Sequence, residues 1–134
     1  MDLSAWVGIP YADRGRARDG ADCWGLACLV YADAMGITLP SYADEYRAIG
    51  ERARGELHGL IERHRGEWRE IAAGDEGGGD LVLLRVDGAV SHVGIVAAAG
   101  HMLTVRRGYS SAIELYRSRR WRSRVDGFVR YRRA

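Results

Sequence analysis

Lysine is missing from the chain: all 20 basic residues among its 134 are arginine. We read this as coding bias and attach no mechanism to it. It does remove a phosphate-loop reading of glycines 77–79, which would need a lysine followed by Ser or Thr. Long apolar runs are missing as well. No stretch approaches the roughly 20 apolar residues of a membrane span, and the opening MDLSAWVGIP carries Asp2 and no basic start before an apolar run, so it does not read as a secretory signal. Cysteine is scarce. Cys23 and Cys28 lie on one expected helix, about 140° apart around its axis, so they cannot pair, and a disulfide framework is excluded.

The hydrophobic share of 47% and charged share of 28% exclude a disordered, fibrous or membrane-spanning chain and leave a globular one. The length suits one domain, residues 1–134, burying roughly two-thirds of its unfolded surface. Charge is distributed unevenly. Residues 102–134 hold ten Arg against Glu114 and Asp126, while residues 1–101 hold ten Arg against sixteen acids. The basic end interleaves Tyr116, Trp121, Phe128 and Tyr131 with cations. It reads first as solvated surface, then as a docking face for an acidic protein, and last as a site for nucleic acid or an anionic envelope polymer.

Pro10 ends a short opening turn or helix, and the polar, glycine-punctuated residues 11–21 read as a loop. In DCWGLACLVYADAMG, Cys23, Leu26, Ala27, Val30, Tyr31 and Ala34 recur on one helix face, with Asp22 placed to cap the start and Gly36 the end. Residues 41–72 read as a surface helix with a thin stripe of Leu57, Leu60, Ile61 and Trp68. Residues 74–80, GDEGGGD, read as a flexible connector. LVLLRV, the turn Asp87-Gly88 and AVSHVGIVA form a hairpin, and further strands are expected at 101–106, 112–116 and 127–131. Helices first and an antiparallel sheet afterwards define an α+β fold.

The first turn of a helix places unpaired N–H groups beside Cys23, which favours thiolate, although a free cysteine is also commonly a small buried hydrophobe. His92 falls mid-strand, on the face of Val90, Gly94 and Val96 by alternation, and Gly94 leaves room for an approaching chain or substrate. It is either a satisfied structural histidine or the partner of a nucleophilic thiol. Cys23, Cys28, His92 and His101 lack the spacing of a zinc set, and His58 and His64 read as solvated.

WVGIPY, then DCWGL, then GDLVLL leading into SHVGIV and HMLTV, resembles the NlpC family of papain-like cysteine peptidases over residues 6–116. Within it the chain is most similar to small peptidases encoded among phage tail genes and in gene-transfer-agent clusters. The resemblance implies N-terminal helices packed on a C-terminal antiparallel sheet, Cys23 as nucleophile and His92 as general base. It places Tyr11 near the active site, and two readings stand for its hydroxyl: an oxyanion or substrate contact, or that of a half-buried aromatic. Asp22 matches the acid before the family cysteine, and its capping role already explains it.

The third triad position departs from the family pattern: Thr104 stands where a histidine is usual, and its uncharged hydroxyl can accept from the imidazole but not stabilise imidazolium as a charged partner would. His101, an odd number of positions away, serves only if a bulge intervenes. Reduced activity is the expectation. The resemblance further implies a peptidoglycan endopeptidase that cuts stem peptides or cross-links, typically after a D-glutamyl residue, with no metal or organic cofactor. It would ride in the virion at the tail tip beside hub or tail-tip proteins. The rival reading is a structural tail-tip subunit with an impaired peptidase fold; a further one is a cytoplasmic amidase or acyltransferase.

Overall fold

A computed structural model describes residues 1–45 and 51–132, with the backbone alone for 51–57. After a 3-10 turn at Ser4–Trp6, a two-stranded ribbon, β1 (Arg16–Ala17) and β2 (Gly20–Ala21), interrupts the expected loop and leads into α1 (Cys23–Met35). Then come α2 (Glu51–His64), β3 (Trp68–Ile71), β4 (Leu81–Val86), β5 (Ala89–Ala98), β6 (His101–Thr104), β7 (Ala112–Leu115) and β8 (Val125–Tyr131). The last six strands form one sheet in the order β3-β8-β4-β5-β6-β7, antiparallel at every pairing.

The continuous apolar run of β4 follows from its place inside this sheet, buried on both faces. Leu81 and Leu83 face α1, packing with Leu26, Val30, Tyr31, Val93, Ile95 and Val129. Val82 and Leu84 face the other way, into a second cluster with Val96, Met102, Tyr116, Trp121 and Phe128. Tyr116 and Trp121, which follow β7, close that second face.

Other sequence expectations change too. The helix proposed for 41–72 ends at His64: Trp68 opens β3 and pairs with Tyr131, so the chain after Arg65–Glu67 alternates as an edge strand and not as a helix. Residues 46–50 and the Leu57 side chain lie outside the described residues. The connector 74–80 is tied down by buried carboxylates. Glu76 accepts from Gly74 N and Tyr116 Oη, and Asp80 from Gly77 N and from Arg130 through Nε (2.8 Å) and Nη2 (2.9 Å). His92 does not share a face with Val90. Leu84 pairs with His92 but Arg85 with Val90, so Ser91 is a bulge that turns Val90 toward α1.

Gly94 leaves no room for a substrate, because Met102 fills it: a Cβ there would lie 2.6 Å from Met102 Sδ and 3.1 Å from Val82 Cγ1. Gly94→Ala is therefore expected to lower unfolding free energy in denaturant titrations by about 1–3 kcal/mol through overpacking, with the affinity for any substrate unchanged. A substrate-affinity defect without loss of stability would contradict this packing.

Candidate active site

The first turn of α1 is built before its cysteine is considered. Asp22 caps it, accepting from Gly25 N at 2.7 Å, and its carboxylate is clamped by Arg16 Nη1 at 2.8 Å. The same guanidinium donates to Gly15 O and, through Nη2, to Ser41 O at 2.7 Å. Gly25 is glycine because the 11–21 segment lies directly on it, and a Cβ would meet Gly15 O at 1.9 Å. Asp22 thus both caps α1 and anchors Arg16.

Cys23 follows, half-buried, with its sulfur within hydrogen-bonding reach of the backbone N–H groups of Trp24 and Val93. The helix start does not make a thiolate here. Burial pushes the thiol up to about 12, the Asp22 carboxylate adds to this, and the two N–H groups and Arg16 oppose it without prevailing. The expectation of a low thiol pKa is corrected accordingly: desolvation outweighs the first-turn N–H groups.

His92 leaves β5 on the face opposite Val93 and stacks on Trp121, ring centroids 5.4 Å apart and planes within 2°. Its Nε2 lies 2.7 Å from Thr104 Oγ1, which sits 2.9 Å from Val93 O. A carbonyl only accepts, so the threonine proton goes to Val93 and its oxygen must receive the proton on His92 Nε2. The ring is thereby held as the Nε2–H tautomer, with the Nδ1 lone pair free of Thr104. Burial then pulls its pKa down to about 4, with Arg106 acting in the same direction and Glu114 against it. The resting pair is neutral thiol and neutral imidazole. Sulfur and ring are brought to neighbouring residues of β5 and not into a hydrogen bond with each other.

Tyr11 adjoins them. Its backbone bridges to Ala21, and its N–H donates to Tyr109 O at 3.0 Å. Burial and the Asp13 carboxylate push the phenol above its usual range, and the Asp22 charge acts in the same direction. Asp13 is held by Arg107 Nη2, 3.0 Å from each oxygen. The other sequence candidates stand apart. His101 is exposed, with Nδ1 3.3 Å from Ala99 O, and the Cys28 sulfur is 3.8 Å from Pro40 O. His58 and His64 are not simply solvated: His58 Nδ1 meets Val90 O at 3.2 Å, and His64 stacks on Tyr42 at 4.6 Å. Among the described residues no group of three or more His, Cys, Asp or Glu could hold a metal ion.

Sequence reading missed what lies behind the imidazole. Trp121 Nε1 donates to Glu114 Oε1 at 2.9 Å, and Arg106 Nε to Glu114 Oε2 at 3.3 Å. In the sequence, Trp121 is one aromatic within RSRRWRSR, and nothing in that spacing points to His92. Much of the basic end is matched by acids: Arg106 to Glu114, Arg107 to Asp13, Arg117 to Glu76 and Arg130 to Asp80.

A cysteine in the first turn of a helix packed on a sheet, with a histidine on a strand of that sheet oriented through Nε2, fits a papain-like cysteine peptidase. The NlpC/P60 family model matches residues 8–130, and the chain belongs to that family, whose members are cysteine peptidases and peptidoglycan hydrolases. It is 28% identical over 134 residues to the gamma-DL-glutamyl hydrolase of Bacillus subtilis, covering 98% of this chain and 28% of that protein. Among solved structures it is similar to an NLP/P60-family protein of Staphylococcus aureus (TM-score 0.68, 22% identity, 97% of this chain and 39% of that one). It is also similar to the NlpC/P60 domain of the peptidoglycan hydrolase SagA (TM-score 0.63, 19% identity, 96% and 91%). The α+β papain-like fold is thus shown, and the chain spans little more than a quarter of its curated relative.

With the thiol held neutral, iodoacetamide should label Cys23 at pH 6–8 more slowly than it labels free cysteine, and the rate should climb only as pH approaches about 12. Faster-than-free labelling at pH 6 would show that a thiolate is present and that burial does not govern the sulfur.

Proposed function

We propose that the chain is a cysteine peptidase acting on amide bonds in the peptide part of bacterial peptidoglycan, carried at the tip of a phage or gene-transfer-agent tail beside hub or tail-tip proteins. The observation that carries the catalytic reading is the Thr104 hydroxyl, which donates to Val93 O and accepts from His92 Nε2, leaving Nδ1 to serve as base. Family membership supports the bond class. The relative's name, a glutamyl hydrolase, supports cleavage after a glutamyl residue. The tail assignment rests on the motif resemblance.

In this reading His92, with Nε2–H still on Thr104 Oγ1, takes the Cys23 thiol proton on Nδ1 as sulfur attacks the carbonyl. The first-turn N–H groups of Cys23 and Trp24, which helix geometry leaves without an acceptor inside the helix, face the oxyanion. The imidazolium then protonates the leaving amine, and water hydrolyses the thioester. Thr104 sets the tautomer but adds no charge, and burial disfavours imidazolium, so turnover is slow. Activity needs a neutral ring: it is lost as pH falls through about 4 and is flat above that through neutrality. The same uncharged Thr104 favours the second reading, a structural tail-tip subunit with residual or no catalysis.

Digestion of purified sacculi separates the two. Wild type should release new amine termini and Cys23→Ala none; Thr104→Val, which leaves Nε2–H unpaired, should be slower by a factor on the order of 10², with Thr104→Ser close to wild type. Equal inactivity of wild type and Cys23→Ala would reject the enzyme in favour of the structural subunit. Wild-type rates in Thr104→Val would reject the orienting role of the hydroxyl.

A further inference from the structure

Glu114 stands on β7 opposite Met102, on the sheet face that carries the cluster of Met102, Tyr116 and Trp121, while its neighbours Ile113 and Leu115 alternate to the other face and are exposed. A carboxylate on the packed face needs a reason. Its side chain is only 20% exposed, and such a group costs free energy unless hydrogen bonds replace its water. Both oxygens are engaged: Oε1 accepts from Trp121 Nε1 at 2.9 Å and Oε2 from Arg106 Nε at 3.3 Å. The indole so held lies on His92 with the two ring planes within 2°. Aromatic contacts are met as readily edge to face, so a flat stack is a particular choice of geometry. Thr104 fixes one atom of the imidazole, and a single hydrogen bond tolerates a broad range of ring tilt. The plane of the ring, and with it the direction of Nδ1, needs a second support.

We propose that Glu114 is a positioning residue for His92 that acts through Trp121: its carboxylate tethers the indole, and the tethered face keeps the imidazole in the plane that Thr104 alone leaves loose. The proposal deepens the peptidase reading and rests on His92 being its base. Glu114 itself touches no reacting atom. The indole cannot swing about its side-chain bonds without giving up the contact to Oε1, and Arg106 on Oε2 holds the carboxylate from the other side. Trp121 is 2% exposed, so an N–H left without this acceptor would be buried and unpaired.

The test uses the full chain and two readouts: kcat and KM on soluble peptidoglycan fragments, and the exchange of the His92 Nε2 proton with water, followed by NMR. Glu114→Leu removes the acceptor and should lower kcat about tenfold, leave KM within about twofold and speed the proton exchange by about tenfold. Glu114→Gln, which still offers an oxygen to the indole, should restore most of both. Trp121→Phe keeps an aromatic face without the tethered N–H, and adding Glu114→Leu to it should cost no more than the worse single change, because the two side chains act as one unit. Equal losses in Glu114→Gln and Glu114→Leu would assign the effect to charge and overturn the tether, as would multiplying losses in the double variant or a rise in KM alone. A wild type that cuts no fragment would instead reject the peptidase reading. The exchange rates then decide the tether by themselves, and an unchanged rate in Glu114→Leu overturns it.

Discussion

One hydroxyl holds the proposed chemistry in register. Thr104 Oγ1 lies 2.7 Å from His92 Nε2 and 2.9 Å from Val93 O, and these two contacts admit only one proton arrangement. The strand pairing has to be right for this to occur. β6 lies antiparallel to β5 with Leu103 opposite Ile95, which brings the end of β6 to His92, twelve positions earlier in the chain. The Ser91 bulge sets which face His92 takes, and Trp121 holds the ring flat from behind. A neutral histidine at position 104 would accept from the same ring nitrogen through a more basic atom; threonine accepts through a hydroxyl oxygen alone.

Burial shapes the rest of the site. The same desolvation that raises the thiol to about 12 lowers the imidazole to about 4, so the pair rests uncharged. A first-turn cysteine is commonly activated by its position. Here Asp22, which makes the turn by capping it, also places a negative charge beside the sulfur, and the two effects of one residue oppose each other. The structural requirement prevails because Asp22 is also the anchor for Arg16, which ties the 11–21 segment to Ser41.

The two parts of the fold differ in how far the sequence reveals them. α1 was readable to its caps, because a periodic apolar face, an Asp and a Gly are all local signals. The β4–β5 hairpin was readable from its apolar run and Asp87-Gly88 turn. Trp68 was not, since an edge strand of four residues carries no period long enough to distinguish it from the helix before it, and its partner Tyr131 is far away in sequence. The same holds at the site. The motif proposes Cys23, His92 and Thr104 as site residues, but the room expected beside Gly94 is filled, because its occupant, Met102, arrives from another strand. Glu114 and Trp121 belong to the site only through pairing and stacking that no spacing encodes.

Nitrogen-15 NMR of the His92 ring in the free protein tests the central claim most directly. The account requires a neutral ring with its proton on Nε2 at pH 6 to 7, remaining so until the pH falls to about 4. A ring protonated on Nδ1, or an imidazolium already present at pH 6, would contradict the threonine-held tautomer and the neutral pair built on it.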